Sequence, residues 1–245
     1  MEISQFYLGI ETSERSGSIA ILSSAQQIVQ NKLQQQGRKH AQTLVAEVKK
    51  LLNQLELSPD QITGIGVSIG PGSFTGLRIG ATFAKTFGYV TGCPVIGIDT
   101  FEAIALNCPP EISETYVISN AQRGDLFVGK YVKISEYQWQ RSSEIALWEI
   151  DRFCHSLKPR DTINGPGIEL LQTSLLPECR ILQPEYRNPT ASKISLITAQ
   201  ILQKSQPAEY ASLNEVWDLT PFYLRKSAAE EKWDARQKND NENYK

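Results

Sequence analysis

The chain has 245 residues, enough for one large or two small domains with a substantial core. Hydrophobic residues make up 40% of it and charged residues 21%, a composition that is typical of a globular protein. The net charge is −2, which argues against a chain that holds nucleic acid by itself, because phosphate binding needs a basic face. No apolar run is long enough to cross a membrane and the first residues lack a signal-peptide pattern, so we expect a cytoplasmic protein without a membrane partner.

Three short β-strands and a helix are predicted in the first quarter of the chain. Apolar runs at 5–10, 17–22 and 28–33 are separated by short polar connections, which favours antiparallel strands. A helix follows over 39–55, because its apolar residues repeat every three or four positions. That apolar stripe includes Leu44, Val48 and Leu51.

The stretch from Gly64 to Gly80 predicts a strand, a tight turn and a helix. Its apolar run at 65–69 breaks at Gly70-Pro71-Gly72 and continues as a periodic segment over 75–90. A hydroxyl at the start of that segment can cap the helix, whose positive dipole end can hold an anion. The candidate anion or nucleotide contacts lie here and at the end of the first strand: Glu11, Thr12, Ser73 and Thr75.

One face of this helix carries a stripe of small residues. Gly76, Gly80, Ala84 and Gly88 fall four positions apart, although each glycine in a helix costs about 1 kcal/mol relative to alanine. The stripe indicates that another backbone comes very close. Two interpretations stay open at this point: packing against the chain's own sheet, or a helix–helix interface with a partner chain.

The rest of the chain continues with alternating strands and helices. The predicted elements are a strand at 94–98, a helix at 101–106, strands at 115–119 and 126–132, a mixed, partly helical segment at 144–157, a strand at 162–163, a helix at 192–204, and a final strand or extended arm at 221–225. Between the helix at 101–106 and the next strand, Cys108-Pro109-Pro110 is a plausible domain boundary.

Three antiparallel strands followed by alternating helix and strand are typical of a ribonuclease-H-like α/β half, and a second, smaller α/β half follows. Two such halves form the two-lobed actin-like, sugar-kinase-like (ASKHA) fold, with mixed sheets flanked by helices. We therefore predict an N-terminal lobe over 1–107, a C-terminal lobe over 108–225, and a mobile tail over 226–245, where charged and amide side chains dominate.

Phosphoryl transfer or ATP hydrolysis is one chemistry that this architecture can support. A carboxylate at the end of the first strand would hold Mg²⁺ through water, and Glu11 stands there. The corresponding turn of the second half, Asn120-Ala121-Gln122, has neither a glycine pair nor a carboxylate, so half of the phosphate clamp is missing. The two histidines and four cysteines are scattered, which predicts reduced thiols, no metal site and no resident cofactor.

Several segments closely resemble the TsaB (YeaZ) family. The most specific is Gly70-Pro-Gly-Ser-Phe-Thr-Gly-Leu-Arg-Ile-Gly80, followed by Pro94-Val-Ile-Gly-Ile-Asp-Thr100. The similarity extends to Leu8-Gly-Ile-Glu-Thr-Ser13, to Arg38-Lys-His40, to Ala121-Gln-Arg-Gly-Asp125 and to Pro221-Phe-Tyr-Leu-Arg225. The resemblance therefore covers the chain from about Phe6 to Arg225.

This resemblance implies the two-lobed actin-like fold and a scaffold or activator role without an active site. Such proteins pair with the related transferase TsaD, work with the ATPase TsaE, and support the synthesis of threonylcarbamoyladenosine on tRNA, which they meet only through the complex. The same surface can form homodimers when TsaD is absent. The alternative is a small ATPase or an acyl or sugar kinase of the same fold.

The resemblance also implies which residues carry the function. TsaD-like chains have an H-x-E-x-H metal motif where this chain has Thr100 and Ile104, which cannot replace two imidazoles on a metal. The partner surface is expected on the helices at 39–55 and 75–90, so Gly80→Leu is expected to block pairing and leave the lobe folded. The expected interface residues are Leu44, Val48, Leu51, Gly76, Gly80, Phe83, Ala84 and Phe87.

Overall fold

Two β-sheets with helices packed on them form the architecture of the chain. The computed structural model describes residues 4–25, 27–33, 40–172, 176–204, 218–225 and 233. Within these residues one sheet has five strands and the other has six. The five α-helices of the described residues are α1 (His40–Gln54), α2 (Phe74–Thr91), α3 (Thr100–Ala105), α4 (Ile150–Ser156) and α5 (Ala191–Lys204).

The first sheet contains the strands β1 (Phe6–Glu11), β2 (Ser18–Ser23), β3 (Ile28–Lys32), β4 (Gly64–Gly70) and β5 (Val95–Asp99). Their order is β3-β2-β1-β4-β5. The pairs β1–β2 and β2–β3 are antiparallel, whereas β4 lies parallel to both β1 and β5. The three predicted antiparallel strands and the predicted strand–turn–helix from β4 to α2 are therefore confirmed.

Helices cover both faces of this sheet. Leu8 and Ile10 of β1 belong to the same buried cluster as Leu44 of α1, on the face that α2 also covers. The opposite face of β1 meets α5 so closely that a Cβ atom on Gly9 would overlap the carbonyl oxygen of Ala191. The alternation of side chains along β1 thus separates two helical layers.

The second sheet contains β6 (Glu114–Gln122), β7 (Asp125–Ser135), β8 (Gln138–Arg141), β9 (Ala146–Glu149), β10 (Thr162–Asn164) and β11 (Arg180–Ile181). Its order is β11-β10-β6-β7-β8, and β9 also pairs with β7. The hairpin of β6 and β7 confirms the predicted strand pair, and its strands are longer than predicted. Two strands, β8 and β11, are missing from the prediction because they are short and have no alternating apolar pattern. The segment predicted as mixed at 144–157 contains the strand β9 and the helix α4.

The two halves of the sequence share core structure. Helix α3 follows the first sheet, and its Phe101 is packed in one buried cluster with Tyr131 of β7 and Ile194 of α5. Although α5 comes after the second sheet in sequence, it packs on β1, β2 and β4 of the first. The division into lobes at residues 107 and 108 stays a prediction, and the predicted tail at 226–245 lies outside the described residues apart from Trp233.

The small-residue stripe of α2 faces the chain's own sheet. A Cβ atom on Gly76 would overlap the carbonyl oxygen of Thr12, and one on Gly80 would overlap the Thr12 hydroxyl. One turn beyond Ala84, a Cβ atom on Gly88 would overlap the side chain of Val95. Of the two interpretations of the stripe, the structure therefore supports packing within the chain, because the helix can approach the strand ends this closely only without side chains.

We predict that Gly76→Ala lowers the free energy of unfolding by about 2–4 kcal/mol, because the new methyl group must displace backbone rather than a flexible side chain. An alanine would otherwise stabilise a helix by about 1 kcal/mol relative to glycine. Thr82→Ala, at an exposed position of the same helix, is the matched control and should change stability by less than ~0.5 kcal/mol. Denaturant titration checks both, and equal effects would contradict the packing described for Gly76.

Candidate functional site

The end of β1 is closed over by the start of α2. The hydroxyl of Thr12 donates to the carbonyl oxygen of Gly76 (2.8 Å), and the backbone N–H of Ser73 donates to the carbonyl oxygen of Ser13 (2.7 Å). The side chains of Glu11 and Thr12 have no exposed surface. These two residues were expected to contact an anion, and this stays a prediction, although the helix covers both of them in this conformation.

The other two predicted anion contacts lie at the start of α2. Ser73 is the N-cap, and its hydroxyl accepts a hydrogen bond from the backbone N–H of Gly76 (3.3 Å), as predicted. Ser73 and Thr75 are both exposed. An anion contact at Ser73 and Thr75 stays a prediction, although Ser73 already uses its oxygen and its own N–H within the chain.

Glu11 is a buried carboxyl group at the centre of the first sheet. One oxygen, Oε1, accepts hydrogen bonds from the backbone N–H and the hydroxyl of Ser13 (both 2.5 Å). No hydrogen bond of ordinary geometry reaches the other oxygen, Oε2, from the described residues. Burial raises the pKa of Glu11, and hydrogen bonding from Ser13 and from the nearby buried hydroxyl of Ser68 only partly opposes this. Burial thus makes the charged form of this carboxyl, the form that binds a metal, less favourable than it is in water.

Two neighbouring carboxyl groups are also shifted toward the neutral form. Burial, together with the like charge of Glu11, raises the pKa of Glu14 to about 7. Beyond the end of the parallel strand β5, burial and the like charge of Asp99 raise the pKa of Glu102 to about 7. Both groups therefore change charge near physiological pH.

A polar bridge links the first sheet to the second. Asp99, at the end of β5, caps α3 by accepting from the backbone N–H of Phe101 (2.9 Å), and it also accepts from the hydroxyl of Tyr131 on β7 (2.6 Å). Arg141 of β8 lies 3.8 Å from the same carboxylate. The sequence analysis missed this cluster, and the only sequence signal for it is the aspartate between strand and helix, since Tyr131 is 32 positions away.

The positions of the metal histidines in TsaD-like chains are structural here. Thr100 is buried, and its hydroxyl accepts from the backbone N–H of Gly70 (3.1 Å). Ile104 is completely buried in the core. Within the part of the chain that the structure describes, no three histidine, cysteine, aspartate or glutamate side chains are grouped as metal ligands. None of the described helices has the length and apolar character to cross a membrane.

The turn between β6 and β7 is the segment in which a second phosphate loop would be expected. The carboxamide oxygen of Asn120 accepts from the backbone N–H of Gln122 (2.7 Å). Arg225 donates to the carbonyl oxygens of Ala121 (2.7 Å) and Gln122 (3.1 Å) and lies 3.3 Å from a carboxylate oxygen of Asp125. Two carbonyl oxygens of this turn thus bind a cation of the same chain. A phosphate-binding loop instead directs backbone N–H groups toward an anion.

Six of the eight expected interface residues are in the chain's own core. They are buried against the first sheet, because the apolar stripes of α1 and α2 fold onto the nearest sheet. They are Leu44, Val48, Leu51, Gly76, Gly80 and Ala84. Their contact with a partner stays a prediction, but Gly80→Leu would damage the fold rather than test pairing, because a side chain there overlaps Thr12.

An apolar flank on α2 nevertheless remains accessible. Phe83 and Phe87 are only partly buried and stack on each other (5.9 Å between ring centroids). On the same flank Ile79 is partly buried, and Val90 is 75% exposed. We call these four residues the α2 flank. An interface on α1 and α2 stays a prediction, with the α2 flank as its accessible part.

The pKa shifts of Glu14 and Glu102 predict that stability falls as pH rises. The folded chain holds these protons up to about pH 7, whereas the usual glutamate pKa is 4.5. The stabilisation is therefore complete below pH 4.5 and is lost as pH rises to about 7. We expect Glu14→Gln to reduce this loss by on the order of 2 kcal/mol in urea titrations at pH 5 and pH 8.

The exposed Glu144 is the matched control for this measurement. Glu144→Gln should leave the difference in stability between pH 5 and pH 8 as it is in the unmodified chain. An equally steep pH dependence in Glu14→Gln would contradict a raised pKa of Glu14 in the folded chain.

The fold and the sequence both match known proteins. A family model described as TsaD: tRNA N6-adenosine threonylcarbamoyltransferase matches residues 25–163, more than half of the chain. The chain belongs to this family. The tRNA threonylcarbamoyladenosine biosynthesis protein TsaB of Bacillus subtilis is 27% identical over 240 residues, which cover 94% of this chain and 99% of that protein.

Two further matches are a solved structure and a transferase. The solved structure of YeaZ from Pseudomonas aeruginosa superposes with a TM-score of 0.73 at 19% identity, over 90% of this chain and 99% of that one. The tRNA N6-adenosine threonylcarbamoyltransferase of Clostridium botulinum is 29% identical over 110 residues, but these are only 32% of its length. The predicted TsaB (YeaZ) membership and the predicted fold class are confirmed.

Proposed function

We propose that this chain is a non-catalytic subunit of the machinery that makes threonylcarbamoyladenosine on tRNA. Its similarity to TsaB over nearly the whole length of both proteins supports a role in this modification. In this proposal it pairs with a TsaD-like transferase, works with a TsaE-like ATPase, and meets tRNA only through the complex. Two copies pair through the same surface when the transferase is absent.

The main support for a non-catalytic role is that the start of α2 closes over the end of β1. In a phosphoryl-transfer enzyme of this architecture, the carboxylate there and the N–H groups beside it face the nucleotide. Here the side chains of Glu11 and Thr12 are inaccessible, and Ser13, Ser73 and Gly76 bond one another across the same turn. The groups that would hold a phosphate are used to join α2 to the sheet.

The proposed partner site is the apolar surface of α2 that stays exposed when the helix closes over the end of β1. The small-residue face of the helix is buried, so the α2 flank supplies its accessible apolar surface. Val45 of α1, which is 59% exposed, adds to the apolar surface of the helical layer. Apolar side chains on a helix surface that pack against a second helix are a common basis for protein pairing.

Val90→Glu tests this proposal, because it places a charge on the proposed interface at a position that is 75% exposed. We expect the variant to fold normally, to lose co-elution with the TsaD-like transferase of the same organism, and to lose most of its stimulation of tRNA modification. The loss in affinity should be at least tenfold, since an unpaired charge in an interface costs more than about 1.4 kcal/mol.

Ile134→Glu is the matched control, because Ile134 is an exposed apolar residue (52%) on β7 of the second sheet. It should co-elute with the transferase as the unmodified chain does. Normal pairing by Val90→Glu would contradict the placement of the interface. Failure of the unmodified chain to pair at all would contradict the proposed function itself.

A further inference from the structure

Residues 218–225, which we call the C-terminal strap, contact both halves of the molecule. Leu219 packs against the buried cluster of the first sheet, and the backbone N–H of Phe222 donates to the carbonyl oxygen of Ile69 in β4 (2.7 Å). The carbonyl oxygen of Phe222 lies so close to Gly70 that a Cβ atom there would be 2.8 Å away. The strap thus lies directly on the end of β4.

A second set of contacts fixes the strap to the first turns of α2. Arg78 donates from Nε to the hydroxyl of Tyr223 (3.1 Å), and its guanidinium lies over the ring of Phe74, 4.0 Å from the centroid. The rings of Phe74 and Tyr223 are in contact, with centroids 4.6 Å apart. Tyr223 is held against the helix by the hydrogen bond and the ring contact, and the cation–π contact fixes Arg78 beside Phe74.

The third set of contacts joins the other end of the strap to the turn between β6 and β7. Arg225 binds two carbonyl oxygens and one carboxylate of that turn, within 2.7–3.3 Å. The turn contains three successive residues with positive φ: Gln122 (67°), Arg123 (58°) and Gly124 (84°). A left-handed backbone is unfavourable for the first two, so the charge-assisted bonds from Arg225 help to hold this conformation.

We propose that the strap couples the first turns of α2 mechanically to the β6–β7 turn, so that the two sheets keep a fixed relative position. Leu224 alone separates Tyr223 from Arg225, and its side chain packs against a buried core cluster. Because consecutive Cα atoms are 3.8 Å apart, the two anchors are joined by a very short segment. A displacement of one anchor is therefore expected to act on the other.

Hydrogen exchange of the full chain, followed by mass spectrometry, tests the coupling without partner, nucleotide or tRNA. The decisive variant is Arg78→Ala, because Arg78 contacts the strap on α2 and the readout is at residues 120–126. We expect amides in that segment to exchange at least threefold faster than in the unmodified chain. Arg225→Ala, which removes the anchor at the turn itself, sets the upper limit of the effect.

Two further variants make the result specific. Tyr223→Phe removes only the hydroxyl that Arg78 binds and should produce a smaller change of the same sign as Arg78→Ala. Arg180→Ala is the control, because Arg180 is an exposed arginine that pairs with Glu111 on the second half of the chain, away from the strap. It should leave exchange at residues 120–126 unchanged.

The double variant Arg78→Ala/Arg225→Ala shows whether the two sets of contacts act together or independently. If the strap transmits the effect of Arg78, amides at 120–126 should exchange no faster in the double variant than in Arg225→Ala alone, because Arg225→Ala has already removed the contact between the strap and the turn. Unchanged exchange at residues 120–126 in Arg78→Ala, or simple addition of the two single effects, would overturn the proposal. These results do not depend on whether the chain acts in tRNA modification.

Discussion

The close approach of α2 to the end of β1 is the contact on which the rest of this structure depends. Gly76 and Gly80 allow the helix backbone to lie against Thr12, and the bonds Thr12–Gly76 and Ser13–Ser73 then close the turn between strand and helix. A side chain on either glycine would separate the layers. Once the layers meet, the polar groups at the strand end are no longer accessible, and the surface of the helix that a partner can reach is its outer flank.

The same contact explains the electrostatics of the first sheet. Glu11 is enclosed by the turn, no hydrogen bond of ordinary geometry reaches one of its oxygens from the described residues, and burial raises its pKa. The charge of Glu11 and burial together raise the pKa of Glu14 to about 7. A carboxylate poised to hold Mg²⁺ would need solvent access and oxygen-rich surroundings. This environment supports the proposal that the end of β1 has a structural role in this chain and that the outer face of the helical layer binds a partner.

Local sequence patterns allowed much of the fold to be predicted. Contacts between residues far apart in the sequence could not be predicted from them. The strand–turn–helix from β4 to α2, including the Ser73 cap, follows from periodicity, Gly-Pro-Gly and one hydroxyl. Periodicity shows which residues of α2 share a face, but it cannot show what that face packs against, so the interface was expected on the buried side. Arg225 and Asp125 are 100 positions apart, so their contact leaves no local pattern, and the arm at 221–225 could be predicted only as extended.

Transfer of the threonylcarbamoyl group to tRNA by the TsaD-like and TsaE-like proteins of the same organism, measured with and without this chain, tests the central claim most directly. Our account predicts modified tRNA only when the chain is added, and neither ATP turnover nor tRNA modification by the chain alone. Equal modification without it would contradict the account. So would Mg²⁺-dependent ATP turnover by the isolated chain that is lost in Glu11→Gln, which would favour a small ATPase or kinase of the same fold.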